Sequence, residues 1–212
     1  MTPAPDASVP RPPDGSVPRP TDAHLRPWAA ADVPALRAAS TDPELARQLA
    51  GSPFDDDAAV AAFIATRYRH DGHARNWAVV DGSGAVVGNV GATALEYVHG
   101  TAWISYWLVP AARGTGLATR ALLAAADDAF ALGLHRLELG HRTDNPASGR
   151  VAARAGFIPE GIERERLRYG GERFDVETHA RLATDPVPDI RPLPIRDPAP
   201  DVDTLPVERP PS

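Results

Sequence analysis

Residues 107–126 of the chain join an apolar strand, a glycine-rich corner and the start of a helix. Their letters are WLVPAARGTGLATRALLAAA, so Gly114 and Gly116 directly precede the helical stretch. A helix that begins at such a corner points unpaired backbone N–H groups and the positive end of its dipole at one place. Phosphate and pyrophosphate groups bind there readily, and glycine lets them approach the backbone closely. The corner predicts a phosphate site, although two glycines also occur in ordinary strand-to-helix turns.

The composition excludes several other chemistries. The chain has no cysteine, and all of its 22 lysine-or-arginine positions are arginines. Disulfides, thiolate zinc sites, a cysteine nucleophile, a lysine Schiff base and the lysine of a P-loop are therefore excluded. Thr119 stands where the dinucleotide fingerprint needs a third glycine or alanine, and no G-x-S-x-G nucleophile elbow occurs. What remains is a pyrophosphate site without the groups of nucleotide hydrolysis.

The histidines do not show the spacing of metal ligands. His135 and His141 lie six residues apart around a predicted strand, and His70 and His73 lie in a predicted loop. Both arrangements are poor for a metal site, since one pair spans a strand and the other lies in a loop. We therefore expect no structural or catalytic metal.

The elements that position the corner follow from apolar periodicity. Their order is a strand, helices, a run of strands, a helix, a strand, a helix and two strands, which predicts an α/β (α+β) fold with a mixed sheet and helices on both faces. Strands are predicted near residues 25–28, 77–80, 86–90, 91–97, 102–109, 136–139, 158–168 and 174–182. Helices are predicted near residues 33–39, 44–49, 57–68, 117–132 and 146–155.

Proline marks where the folded domain begins and ends. Of the 23 prolines, eight lie in residues 1–27 and nine in residues 186–212. These ends lack apolar periodicity and cannot bury enough apolar surface to offset the entropy of ordering. We expect disordered, proline-rich tails at residues 1–21 and 185–212, on either side of one domain at residues 22–184.

The net charge and the hydropathy of the chain limit the classes of partner that it is expected to bind. A formal net charge of −6 disfavours nucleic-acid binding, and no basic stripe with interleaved aromatic residues occurs. No apolar run approaches the roughly 18 residues of a membrane span, and no signal segment begins the chain. We expect a cytoplasmic protein that binds neither nucleic acid nor membrane. The sequence is compatible with either a monomer or a homodimer.

Two motifs resemble those of the GCN5-related N-acetyltransferases, the GNAT superfamily. Residues 113–118, RGTGLA, fit its R/Q-x-x-G-x-G/A acetyl-CoA signature between the expected strand and helix. Residues 145–157, NPASGRVAARAGF, are similar to its second landmark, N-x-x-S-x-x-(V/A)-x-x-(K/R)-x-G-F. The Y-W-L stretch before the corner and the N-P-A-S form of the second motif resemble the RimJ/RimL-type ribosomal-protein acetyltransferases. The resemblance covers roughly residues 23–183.

The resemblance implies a fold and a cofactor. The fold would be a central mixed, mostly antiparallel sheet of about seven strands flanked by helices, with a splayed pair of strands that holds acetyl-CoA. Amides of residues 114–118 would bind the pyrophosphate of CoA. The strand before the corner would offer its backbone to the pantetheine arm. The expected cofactor-binding residues are Leu108, Val109, Arg113, Gly114, Thr115, Gly116, Leu117, Ala118, Asn145 and Ser148.

The catalytic groups are less defined. Many family members use a tyrosine seven positions beyond the motif asparagine, and Ala152 occupies that position here. The RimJ/RimL resemblance implies Ser148 as the substitute that assists the departing thiolate, although it and Asn145 could simply cap the helix. A general base must deprotonate the amine, and we favour Glu138 and His141 for their place at the expected gap. Further candidates are Glu96, Glu163 and Glu177.

The favoured hypothesis is an acetyl-CoA-dependent N-acetyltransferase that transfers the acetyl group directly to a primary amine, either a protein N-terminus or a small molecule. The absence of cysteine favours direct transfer because it removes the usual covalent acyl carrier. An alternative is a non-catalytic CoA-binding or interaction module of the same fold, which Ala152 favours. A third hypothesis keeps the enzyme but gives it a longer acyl donor.

Overall fold

The structure is a computed structural model that describes residues 23–49 and 54–196. These residues form seven β-strands and five α-helices. The strands are β1 (His24–Pro27), β2 (Arg75–Val80), β3 (Val86–Glu96), β4 (Thr101–Leu108), β5 (Arg136–Arg142), β6 (Ile158–Tyr169) and β7 (Glu172–Leu182). The helices are α1 (Val33–Ala39), α2 (Pro43–Leu49), α3 (Asp57–Arg67), α4 (Leu117–Ala131) and α5 (Pro146–Arg154).

The strands form one sheet in the order β1-β2-β3-β4-β5-β7-β6. All neighbouring strands are antiparallel except β4 and β5, which are parallel. The predicted mixed, mostly antiparallel sheet is confirmed. Residues 86–96 form one strand, however, and not two. Gly91, where the second strand was expected to begin, marks close packing instead of a break, because the side chain of Asn76 on β2 fills the space of a Cβ there.

Helices cover both faces of the sheet, and alternate residues of β4 serve the two faces. Ile104 packs with Leu122 and Leu123 of α4. Trp107 points the other way, among the apolar side chains of α1 to α3, where its indole N–H donates to the hydroxyl of Tyr68 at 2.7 Å. The strand that leads into the glycine corner is thus fixed from both sides. In the described ranges, no helix is long and apolar enough to span a membrane.

The C-terminal stretch differs from the expectation of a tail that starts at residue 185. Residues 185–196 lie along the domain, and Leu193 is only 2 % exposed. The Leu193 N–H donates to the Arg120 carbonyl of α4, and the Leu25 N–H of β1 donates to the Pro194 carbonyl. Backbone hydrogen bonds and one buried leucine hold this proline-rich stretch against the domain, although its sequence shows no apolar periodicity. The expected N-terminal tail, residues 1–21, and the last part of the expected C-terminal tail, residues 197–212, lie outside the described residues.

Candidate active site

A cavity opens where β4 and β5 separate. The two strands pair only between residues 101–103 and 136–138, although β4 continues to Leu108. The resulting space has a volume of about 690 Å³, which is typical of a small-molecule or cofactor site. Its walls come from β4, the corner before α4, the end of β5, and parts of α2, α5 and β6. The splayed strand pair expected from the family resemblance is present.

The glycine corner forms one end of this cavity. Gly114, Gly116 and Ala118 line it. Gly114 and Gly116 have φ angles of +77° and +84°, which disfavour residues with a Cβ. Gly116 is also the N-cap of α4, and no side chain caps that helix end. The first N–H groups of α4 are therefore available to an anionic ligand in the cavity.

Charged side chains in the cavity wall are mostly cationic. Four arginines line it, and Glu44 of α2 is the one carboxylate among its described lining residues. Glu44 lies 3.7 Å from the Arg113 guanidinium, which also donates from Nε to the Leu108 carbonyl at 3.1 Å. The lining arginines are Arg113, Arg142, Arg150 and Arg154. This balance suits an anionic ligand such as a phosphorylated cofactor.

Three of the predicted cofactor-binding residues do not line the cavity. The Val109 N–H donates to the Val87 carbonyl of β3 at 2.9 Å, so that group is not free for a pantetheine arm. The Thr115 hydroxyl donates to the Ala112 carbonyl at 2.8 Å. Leu117 packs against the apolar cluster between the sheet and α4. Leu108 does line the cavity, and since successive N–H groups of a strand point to opposite edges, its N–H faces the gap.

The second motif brings Asn145 and Ser148 to the cavity wall. The Asn145 side chain caps α5 by accepting from the Ser148 N–H at 3.2 Å. The Ser148 hydroxyl lies 2.8 Å from the hydroxyl of Tyr106 on β4, and the Tyr106 hydroxyl donates to the Ser148 carbonyl at 3.0 Å. Asn145 therefore has the capping role, while the Ser148 hydroxyl is part of a two-hydroxyl pair in the gap.

Tyr106 was not singled out in the sequence, although it shares a strand face with Leu108 two residues later. Burial raises the pKa of Tyr106 to about 12, and the hydrogen bond with Ser148 opposes that rise. The phenol is therefore protonated throughout the neutral pH range. Tyr106 thus places a proton donor in the gap, whereas Ala152, at the position of the family's usual tyrosine, is fully buried and does not line the cavity.

Glu138 does not lie where it was expected. It does not line the cavity, because it pairs with Trp103 of β4 in the part of β5 that precedes the separation of the two strands. The Glu138 carboxylate instead accepts from Arg136 Nε at 2.7 Å. The other acidic candidates lie elsewhere too: Glu96 accepts from the N–H groups of the turn after β3, and Glu163 pairs with Arg166. The prediction of Glu138 as a gap-facing base is wrong in its geometry.

His141 lines the cavity as expected, but both of its ring nitrogens have partners. Nδ1 lies 2.9 Å from the Arg142 carbonyl, and Nε2 lies 3.1 Å from His179 Nε2 and 3.1 Å from Glu177 Oε2. His179 and Glu177 are on β7, and neither lines the cavity. This cluster depends on strand register, which the spacing of residues along the chain does not reveal.

The comparison with known families is decisive at this point. The profile described as "Acetyltransferase (GNAT) domain" matches residues 23–158. The chain belongs to the GNAT acetyltransferase family. The matched range contains the splayed strands, the glycine corner and the helix that carries Ser148. The family predicted from the two motifs is therefore confirmed.

Curated relatives agree with this membership. The chain is 41% identical over 86 residues to the probable N-acetyltransferase YjcK of Bacillus subtilis (strain 168), which covers 40% of this chain and 48% of that protein. It is 34% identical over 98 residues to the ribosomal-protein-serine acetyltransferase of Escherichia coli (strain K12). This second match covers 46% of this chain and 55% of that protein. The matches thus span about half the length of these relatives. The expected similarity to RimJ/RimL-type proteins is present.

A solved structure agrees with the GNAT fold. The spermidine N-acetyltransferase from Vibrio cholerae, in complex with CoA and spermine, superposes with a TM-score of 0.67 at 22% identity. The superposition covers 78% of this chain and 98% of that protein. Since the identity is low, this similarity concerns the fold: a mixed sheet of seven strands with helices on both faces.

Proposed function

We propose that this GNAT protein transfers an acetyl group from acetyl-CoA directly to a primary amine, with both substrates bound at the cavity between β4 and β5. The observation that carries the proposal is the uncapped start of α4 at one end of a 690 Å³ gap, with a hydroxyl pair in the wall of the same gap. The anion site suits the pyrophosphate of acetyl-CoA, and the proton donor suits its thioester sulfur, which leaves as a thiolate.

Charge and backbone polarity support a position for the cofactor. The pyrophosphate binds at the N–H groups of residues 114–118, and Arg113 is its nearest charge partner. Arg150 and Arg154 lie four residues apart on α5 and line the same cavity, so they are suited to the remaining phosphate. The pantetheine arm follows the unpaired edge of β4 as an added strand.

The transfer step uses groups that face the gap. The amine nitrogen attacks the thioester carbonyl carbon, and the Leu108 N–H stabilises the negative charge that develops on the carbonyl oxygen. The tetrahedral intermediate collapses as the carbon–sulfur bond breaks and the electron pair leaves with sulfur. Ser148 transfers its hydroxyl proton to the thiolate and is reprotonated, through solvent, by the extra proton that the nitrogen carries in the intermediate, while the Tyr106 hydroxyl lies 2.8 Å from the serine oxygen. Because the chain lacks cysteine, no thioester intermediate forms on the protein.

Proton removal from the amine is assigned to solvent. Glu44 is paired with Arg113, and both nitrogens of His141 already face partners. A protein α-amine has a pKa of about 7.7–8.0, so a sizeable fraction is neutral near pH 7.5 without a base. An alkylamine with a pKa of about 10.4 is neutral in only about one molecule per thousand at that pH. The cavity therefore suits an α-amine better than a polyamine.

Charge supports the same acceptor. A polyamine needs several carboxylates for its ammonium groups, whereas Glu44 is the one carboxylate among the described lining residues. Arg142 in the cavity wall is held by Asp144 at 2.8 Å and lies over the Phe174 ring. The E. coli relative is a ribosomal-protein-serine acetyltransferase by name. We assign a peptide or protein N-terminus as the acceptor class.

The test is release of CoA thiol from acetyl-CoA with short peptides that begin with serine or alanine. We expect release with the free peptide and none with the same peptide already acetylated at its N-terminus. Tight CoA binding without thiol release by any free amine would contradict the enzyme and leave the non-catalytic module. Recovery of a stable acetyl-protein after labelling would contradict direct transfer.

A further inference from the structure

Three potential metal ligands meet between β5 and β7, behind the cavity wall. His141 is directly opposite Glu177 in the register of the two strands, and His179 lies two residues further along β7. All three side chains therefore project from the same sheet face. The atoms that converge are His141 Nε2, His179 Nε2 and Glu177 Oε2, with separations of 3.1, 3.1 and 3.2 Å.

The hydrogen count of this cluster leaves room for a cation. His141 Nδ1 is 2.9 Å from the Arg142 carbonyl and donates to it, so Nε2 of the neutral ring carries a lone pair. The Glu177 carboxylate also offers only lone pairs, 3.1 Å from that nitrogen. One N–H of His179 could reach both acceptors only as a bifurcated hydrogen bond. A positive charge at the centre of the cluster would satisfy all three atoms.

The distances fit a metal ion. Zinc binds histidine nitrogen at about 2.0–2.1 Å and carboxylate oxygen at about 2.0–2.2 Å. A point about 2.05 Å from all three atoms lies about 1 Å outside their plane, and the ligand–metal–ligand angles there are about 100°. These angles are close to tetrahedral, with one position left for water. Two histidines and one carboxylate form a known zinc ligand set.

The surroundings also resemble those of a metal site. The contact from His141 Nδ1 to a backbone carbonyl is the outer-shell bond that usually orients a metal-binding histidine. Both histidines are buried and Glu177 is half-buried. A Cβ at Gly149 of α5 would lie 2.9 Å from His141 Nε2 and 3.9 Å from Glu177 Oε2. The glycine keeps a space open beside the converging atoms.

We propose that His141, Glu177 and His179 bind one zinc ion, a site separate from the proposed acetyl transfer. The ion would join β5 to β7 below α5 and fix the His141 ring in the cavity wall. The expectation of no metal came from linear spacing, and this set is assembled from two strands 35 or more residues apart along the chain. An additional proton on the cluster is the competing occupant.

The experiment measures zinc in protein produced without a histidine tag. The protein is stripped with a chelator, dialysed against zinc and analysed by elemental mass spectrometry. We expect one zinc per chain in the wild type. His179→Gln and Glu177→Ala should each weaken zinc binding by more than about 100-fold, beyond the 10–100-fold of an outer-shell loss. His99→Gln, at an exposed histidine, is the matched control and should keep one zinc.

Cobalt provides a second readout, because four-coordinate Co²⁺ bound to the wild type should show visible absorption that Glu177→Ala lacks. Glu177 is half-exposed, so this variant should fold even if His179→Gln does not. A wild type that binds no zinc, or equal binding in both variants and the control, would overturn the site. Zinc content is measured without substrate, so its loss would leave the acetyl transfer proposal intact.

Discussion

At the residue scale, the two hydroxyls in the gap are the groups that distinguish this chain from family members with a tyrosine on α5. Ser148 Oγ and the Tyr106 hydroxyl lie 2.8 Å apart, and the raised pKa of Tyr106, about 12, keeps it a donor at neutral pH. The motif in the sequence was enough to predict that Ser148 lies at the cofactor cavity. Tyr106 was missed because its role depends on the position of α5 above β4.

Ser148→Ala should lower kcat by about 100-fold, at the lower end of what a positioned proton donor contributes. The KM for acetyl-CoA should change little, since the pyrophosphate contacts are untouched. Tyr106→Phe should lower kcat by about tenfold, and the double variant should be no worse than Ser148→Ala alone because the two act as one unit. Steady-state kinetics, with Ser83→Ala as the control in an exposed hairpin, measures this. Unchanged kcat in Ser148→Ala would remove the hydroxyl from the chemistry.

At the scale of elements, the features that depend on neighbouring residues were predicted correctly more often than those that depend on strand pairing. The glycine corner, the start of α4 and the Asn145 cap depend on neighbouring residues, and the sequence revealed all of them. The point where β5 separates from β4, and the pairing of β5 with β7, depend on register, which one sequence does not specify. That is why Glu138 was placed in the gap and why His179 was not considered. The predicted start of the C-terminal tail at residue 185 was wrong for a similar reason, since Leu193 is buried through long-range contacts with α4 and β1.

The start of α4 leads to a prediction with an internal control. Gly116→Glu should weaken CoA binding by more than about 100-fold, because a carboxylate would occupy the anion site at the helix start. Gly84→Glu carries the same backbone strain, since Gly84 has a φ of +87° and, like Gly116, open space around a Cβ. Calorimetry should show normal CoA affinity for Gly84→Glu. Equal affinities in the two variants would contradict a pyrophosphate at the corner.

At the scale of the whole molecule, the charge distribution separates the site from the rest of the protein. The chain has a formal net charge of −6, whereas four arginines and one glutamate line the described cavity. An anionic cofactor is thus attracted to the cavity of an acidic protein. The same balance disfavours a polycationic acceptor, which is the basis for assigning a peptide α-amine.

A competition at pH 7.5 between a serine-initiated peptide and spermidine for acetyl-CoA, with both products quantified by mass spectrometry, tests whether a peptide α-amine is the preferred acceptor. Acetyl-peptide should exceed acetylspermidine by about 100-fold, because a larger fraction of the α-amine is neutral. The excess should shrink as the pH rises towards 9, since deprotonation of the alkylamine increases there while the α-amine is already neutral. Preferential acetylation of spermidine at pH 7.5, or no product from either acceptor, would contradict this acceptor assignment.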